Sequence, residues 1–250
     1  MLGEPNPTAW DVRFQLFGIP VRVHPLFWLA GLILGGGSRG GELLIWVAAL
    51  FISILVHELG HALMMQRFGI GSHIVLYMMG GLAIPDGPRW GRQRGDVRES
   101  VFISLAGPGA GFGLAALVVL GIVLTGGEFR LRWEDFPVFF RFRLGASIDS
   151  DSWYALIGAM LYINIFWGLV NLLPVYPLDG GQVARALFVQ ADPWRGLVKS
   201  LWLSVVVGAA VAVWGLSQQP SSLFMAILFG SLAFQSYLAI QQQTGGGSPW

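Results

Sequence analysis

His57, Glu58 and His61 stand inside a long apolar run, SILVHELGHALMM, over residues 53–65. Residues four apart on a helix share a face one turn apart, so the two imidazoles can offer nitrogens to one metal ion. Zinc takes histidine nitrogens at about 2.0–2.1 Å and suits that pairing. Glu58 points to a neighbouring face, from which its carboxylate can take a proton from a water at the metal. The competing reading is chance, because HExxH is short and a lone histidine on an apolar face is ordinarily a satisfied core residue. The surroundings weigh against chance. An ionisable side chain at the centre of a bilayer costs on the order of 2.5–3.5 kcal/mol, and three cost several times that. Such groups persist where they pair, line a wet cavity or bind a metal. Gly60, next to them, lets a second backbone come close.

A catalytic zinc takes three protein ligands and keeps one position open. HExxH supplies two, and the following ALMMQRFGIG contains no His, Asp or Glu. His24 and His73 lie at the edges of apolar blocks and are candidates. Asp179 is the better one. It belongs to NLLPVYPLDGG, residues 171–181. Pro174 and Pro177 each remove a backbone donor and clash with the preceding turn, which predicts that the helix unwinds there and leaves Asp179 on irregular backbone. At membrane depth such backbone is tolerated only beside protein or a cavity. Gly180 and Gly181 permit a tight turn and close approach. Alone, the same residues read as an ordinary surface turn. The Asn171 amide could donate to a developing oxyanion, or satisfy carbonyls freed by the break.

The elements that must position these residues are membrane spans. Of 250 residues 54% are hydrophobic and 12% charged, against roughly 25% charged in soluble proteins. Mean hydropathy is +0.63. Six apolar blocks are predicted at residues 25–34, 42–65, 101–124, 153–173, 197–216 and 221–240, the first short for a span of about 20 residues. Cysteine is absent, so disulfides, thiol catalysis and cysteine-held zinc are excluded, and any metal site draws on His and carboxylates. A net charge of +1 makes no electrostatic case for nucleic acid. Ten of the fifteen Lys and Arg residues fall on one side of the six blocks, which predicts that both termini are cytoplasmic.

Two connecting segments carry structure of their own. In EFRLRWEDFPVFFRFRLG, residues 128–145, apolar and Arg residues alternate on both sides of EDFP, which predicts a short hairpin. It reads as a solvated connector with interfacial aromatics in preference to a lid on the membrane surface. In IVLYMMGGLAIP, residues 74–85, Ile74 to Tyr77 favour a strand. Gly80 and Gly81 lack side chains, so another extended chain could pair beside them. The alternative is an ordinary turn between two apolar runs.

HELGH at 57–61 and NLLPVYPLDGG at 171–181, in that order and spacing, resemble the site-2 protease family, the zinc intramembrane metalloproteases. FGIPVRVHPLFWL at 17–29, MMGG at 78–81 and SLAGPGAGF at 104–112 add weaker matches. The resemblance implies an all-α polytopic membrane protein of about six transmembrane helices with a small membrane-associated β element. Residues 1–24 would form a cytoplasmic N-terminal segment, 25–241 the intramembrane metalloprotease domain and 242–250 a flexible tail. It implies zinc held by His57, His61 and Asp179, with Glu58 as base. Asn171 would bind substrate or the oxyanion, and Gly80 and Gly81 would lie beside the extended substrate. The expected activity is hydrolysis of peptide bonds in transmembrane segments of tethered substrates, in regulated intramembrane proteolysis. The setting would be a prokaryotic cell membrane, the partners a transmembrane protein substrate and the lipid bilayer. The alternative is a catalytically silent relative that binds or escorts membrane proteins. Where the family's third-span motif usually ends in Asn this chain has Gly111, so Gly107 and Gly111 read as a GxxxG helix contact. Gln182 stands where the family often has a basic residue.

Overall fold

A computed structural model of the chain describes residues 4–37, 40–86, 96–132, 140–218 and 222–245, the side chains of Thr244 and Gly245 apart. Among the described residues, five helices are long and apolar enough to cross a membrane: α2 (Gly41–Arg67), α3 (Val97–Leu124), the composite helix Asp151–Asn171, α7 (Gly196–Ser217) and α8 (Leu223–Gly245). They match the five longer blocks of the sequence to within a few residues. The first block is α1 (Pro25–Leu34), whose ten residues rise only about 15 Å. Pro25 starts it, and His24 Nδ1 accepts from the Leu26 amide at 3.2 Å as its N-cap. The chain is thus a multi-pass membrane protein.

The composite helix is not uniform. It runs as α4 (Asp151–Leu161), a π-helical turn at Tyr162–Trp167, and α5 (Gly168–Asn171). Beyond it, residues 172–178 are irregular, and the Tyr176–Pro177 bond is cis. The break falls where the prolines predict it. Asp179, however, is not on irregular backbone: it is the first residue of a further helix, α6 (Asp179–Ala191). A carboxylate in a first helical turn is favoured by the unpaired amides there.

The β structure exceeds the predicted strand. Four strands form one sheet in the order β1 (Val12–Leu16), β2 (Ile19–Val23), β3 (Ser72–Tyr77), β4 (Gly80–Pro85). β1 and β2 are an antiparallel hairpin, β2 runs parallel to β3, and β3 turns back antiparallel into β4. Val12, Phe14 and Leu16 alternate with Arg13 and Gln15, so the period-two signal of β1 was present in the sequence. Separately, β5 (Glu128–Leu131) and β6 (Phe140–Arg143) pair antiparallel, Phe129 opposite Phe142, as the Arg alternation predicts. The EDFP turn between them and the tail residues 246–250 lie outside the described residues.

By contacts the chain divides into two compact units. The first holds residues up to 91 and 106–169. Its core joins Ile19, Val21 and Val23 of β2 and Ile74 and Leu76 of β3 to Leu55, Leu59 and Ala62 of α2. The sheet is therefore packed against the span that carries the histidines. The second unit holds residues 92–105 and 170 onward, with α6, α7 and α8.

Candidate metal centre

In the first unit, α2 presents His57 and His61 from one face. Their Nε2 atoms are 3.1 Å apart, with ring centroids at 4.8 Å and planes crossed at 76°. Two tetrahedral ligands at zinc–nitrogen distances of about 2.0–2.1 Å are separated by about 3.3 Å. The two nitrogens converge as co-ligands would, and the site fits the ion.

Two glycines bring α3 close to α2 here. An added Cβ on Gly107 of α3 would run into the His61 imidazole, so that glycine is a cradle for the ring. One on Gly60 would run into the Ala106 carbonyl of α3, the close backbone approach its position predicts. Gly107 therefore does more than make a helix–helix contact. His61 is 8% exposed and Glu58 7%, which withholds both from bulk water.

Strand β4 lies alongside. A Cβ on Gly81 would meet the Glu58 carboxyl, with Oε1 at 2.6 Å and Cδ at 2.7 Å. Gly80, at φ +115°, opens the strand after the Met78–Met79 turn, and nothing stands within 4 Å of where its Cβ would be. β4 is the last strand of its sheet. The first unit thus brings together His57, Glu58, His61, Gly80 and Gly81.

Asn171 and Asp179 belong to the second unit, on either side of the proline break. Asn171 is the last residue of α5 and half-buried. Gly180 packs against the backbone of Leu172 and Leu173, and Gly181 against that of Val175 and Tyr176. Side chains at either position would push α6 off the turn that leads into it. The Tyr176 amide donates to Ser204 Oγ of α7 at 3.0 Å. Asp179 is set at the head of α6 by this packing.

The other histidines have other work. His24 caps α1. His73 Nδ1 lies 2.7 Å from Asp86 Oδ1 and its Nε2 3.5 Å from Glu4 Oε2. Ser53 of α2 and Asn164 of the π-helical turn, unmarked by any motif, share a buried hydrogen bond of 2.8 Å. Their only signal in the sequence is that both are polar inside apolar blocks.

Compared with known proteins, the profile of peptidase family M50 matches residues 45–213. A zinc metalloprotease of Methanocaldococcus jannaschii is 28% identical over 232 residues, which cover 91% of this chain and 56% of that protein. A Synechocystis sp. protein provisionally named a zinc metalloprotease is 28% identical over 246 residues, covering 89% and 57%. The chain spans about half the length of the curated relatives it matches. The solved structure of a site-2 protease from Methanocaldococcus jannaschii aligns with a TM-score of 0.54 at 20% identity, over 92% of this chain and 95% of that one. That is a likeness of fold.

Proposed function

The chain belongs to peptidase family M50, and on that premise we propose that it is an intramembrane zinc endopeptidase that cuts transmembrane segments of tethered proteins. The observation that carries this is the convergence of His57 and His61 Nε2 at 3.1 Å on a helix long and apolar enough to span. Glu58 is buried beside them.

His57, His61 and Asp179 are the ligands in this reading. Two imidazoles and one carboxylate are a donor set that could hold a metal ion, and three protein ligands leave a position open for chemistry. Bound there, zinc supplies a Lewis acid that polarises the scissile carbonyl and lowers the pKa of water. Glu58 accepts the proton of the attacking water and hands it to the leaving amine. The Asn171 amide donates to the carbonyl oxygen as charge builds on it.

A peptide bond inside a helix is shielded by its own hydrogen bonds, so the substrate must be extended before it can be cut. Extension in lipid leaves backbone groups unpaired at several kcal/mol each. The outer edge of β4, the last strand of its sheet among the described residues, replaces those bonds by strand addition, and Gly81 lies against Glu58. The excess of Lys and Arg on one side supports cytoplasmic termini, the prokaryotic relatives support a prokaryotic cell membrane as the setting, and release of the tethered substrate into the cytoplasm fits regulated intramembrane proteolysis.

The test is the purified protein in liposomes with a single-span reporter. Wild type is expected to carry about one zinc per chain and to cleave within the span. Glu58→Gln is expected to keep the zinc and lose cleavage. Cleavage retained by Glu58→Gln would overturn the mechanism.

A further inference from the structure

Two polar side chains within the spans take no part in the chemistry above. Ser53 is 2% exposed and Asn164 4%. Asn164 Nδ2 donates to Ser53 Oγ and to the Met160 carbonyl, both at 2.8 Å. Ser53 precedes His57 by four residues, so it sits on the same face of α2 one turn earlier.

Asn164 is held from the other side as well. A Cβ on Gly111 of α3 would lie 3.3 Å from its Oδ1. One turn earlier on the same helix, Gly107 cradles the His61 ring. These two glycines of α3 therefore receive two polar groups, one the His61 ring and the other the Asn164 amide, whose partner Ser53 lies one turn from His57. Asn164 also lies within the π-helical turn, a local rewinding that occurs frequently at functional sites.

We propose that Asn164 is a positioning residue. Keyed between Ser53 of α2 and Gly111 of α3, it sets the rotation and height of α2 and so the convergence of the His57 and His61 nitrogens. Apolar helix faces can turn and slide against one another, since packing among them has little direction. A buried amide–hydroxyl bond is directional, and leaving its donor unmade in lipid is costly. The proposal rests on the zinc reading above.

The experiment compares the zinc-loaded wild-type protein with Asn164→Leu, Ser53→Ala, the double variant and Gly111→Ala, using Ser236→Ala as a control. Ser236 is equally buried, on α8. Two readouts are taken: the rate of zinc loss to a chelator, and the visible d–d spectrum of the cobalt-substituted protein. Loss of a residue bonded directly to a ligand typically costs about 10–100-fold in metal affinity; Asn164 and Ser53 act one turn away through α2, so Asn164→Leu and Ser53→Ala should release zinc about 10-fold faster, with altered cobalt bands. The double variant should be no worse than the worse single. Ser236→Ala should match wild type. Gly111→Ala should fall between, because Asn164 must give way by a few tenths of an ångström. Wild-type release and wild-type cobalt bands in folded Asn164→Leu, with only a lower melting temperature, would overturn the proposal. If that variant does not fold, the same outcome in Ser53→Ala and Gly111→Ala overturns it. Zinc in wild type with unchanged variants sinks the clamp alone, whereas a wild type that holds no zinc sinks the zinc reading with it.

Discussion

Gly81 of β4 rests against the carboxyl of Glu58 on α2, in space that any side chain at position 81 would take. The strand that would receive the substrate and the base that would act on it are in contact. A substitution at position 81 thus strikes the base directly, while one at position 80 meets open space.

These two glycines should consequently fail differently. Gly81→Val should displace Glu58 and lower kcat on the order of 100-fold or more, the usual contribution of a general base, with zinc retained. Gly80→Val puts a branched side chain at φ +115°, a strain of about 1–3 kcal/mol at the mouth of the strand. It should raise KM for the reporter more than it lowers kcat. Steady-state kinetics with metal analysis checks both, and equal losses of kcat in the two variants would contradict the division.

Asp179→Ala should lower zinc occupancy and abolish cleavage, because two protein ligands remain. His73→Ala should leave the zinc in place, since its two nitrogens face Asp86 and Glu4. Metal content after gel filtration distinguishes them. Zinc lost from His73→Ala and kept by Asp179→Ala would exchange the ligand assignment.

Reporter fusions should place Arg98 and Gln241 in the cytoplasm and Glu128 on the far side. A cytoplasmic signal at Glu128 would reverse the orientation and the face at which the product leaves.

Asp11 makes the N-terminal hairpin sensitive to acid. Burial alone would raise its carboxyl. The Thr8 hydroxyl and amide and the Arg22 guanidinium donate to it and outweigh burial, holding it at about 2 against an ordinary 3.8. A lowered folded-state value stabilises above the unfolded value and is lost as pH falls through the folded one. The protection factors of the β1 amides, measured against the intrinsic exchange rate at each pH, should fall between about pH 4 and pH 2. Asp11→Asn should be less protected at neutral pH and show no such fall in that window.

The spans and the HExxH face were legible because each depends on a local signal: a run of apolar residues, or a spacing of four. The proline break was legible for the same reason. The sheet was only half legible. β3 and β4 follow each other directly, but β2 pairs with β3 across the whole of α1 and α2, and no local pattern announces a partner some fifty residues away. The start of α6 was hidden by Pro177, Gly180 and Gly181, which read as a turn until the glycines are seen packed on the backbone of residues 172–176. Gly107 could be read as a close contact, though not as a seat for His61. The Ser53–Asn164 bond joins residues 111 apart, so sequence shows two polar residues in apolar blocks and nothing of their pairing.

The shortness of α1 bears on how the protein is made. The ten residues of α1 come to roughly 15 Å, half of a hydrocarbon core of about 30 Å. α1 is too short to span by itself, and the strand that leads into it, β2, is completed only by pairing with β3. A lone strand leaves the backbone donors and acceptors of its open edge unpaired. β1 is made first and covers one edge. The other edge waits for β3, and the His24 amide for the Leu76 carbonyl it donates to at 2.8 Å. During synthesis the sheet stays open until β3 has followed α2 out of the ribosome, so the helix that carries the histidines is made before the sheet that packs against it is closed.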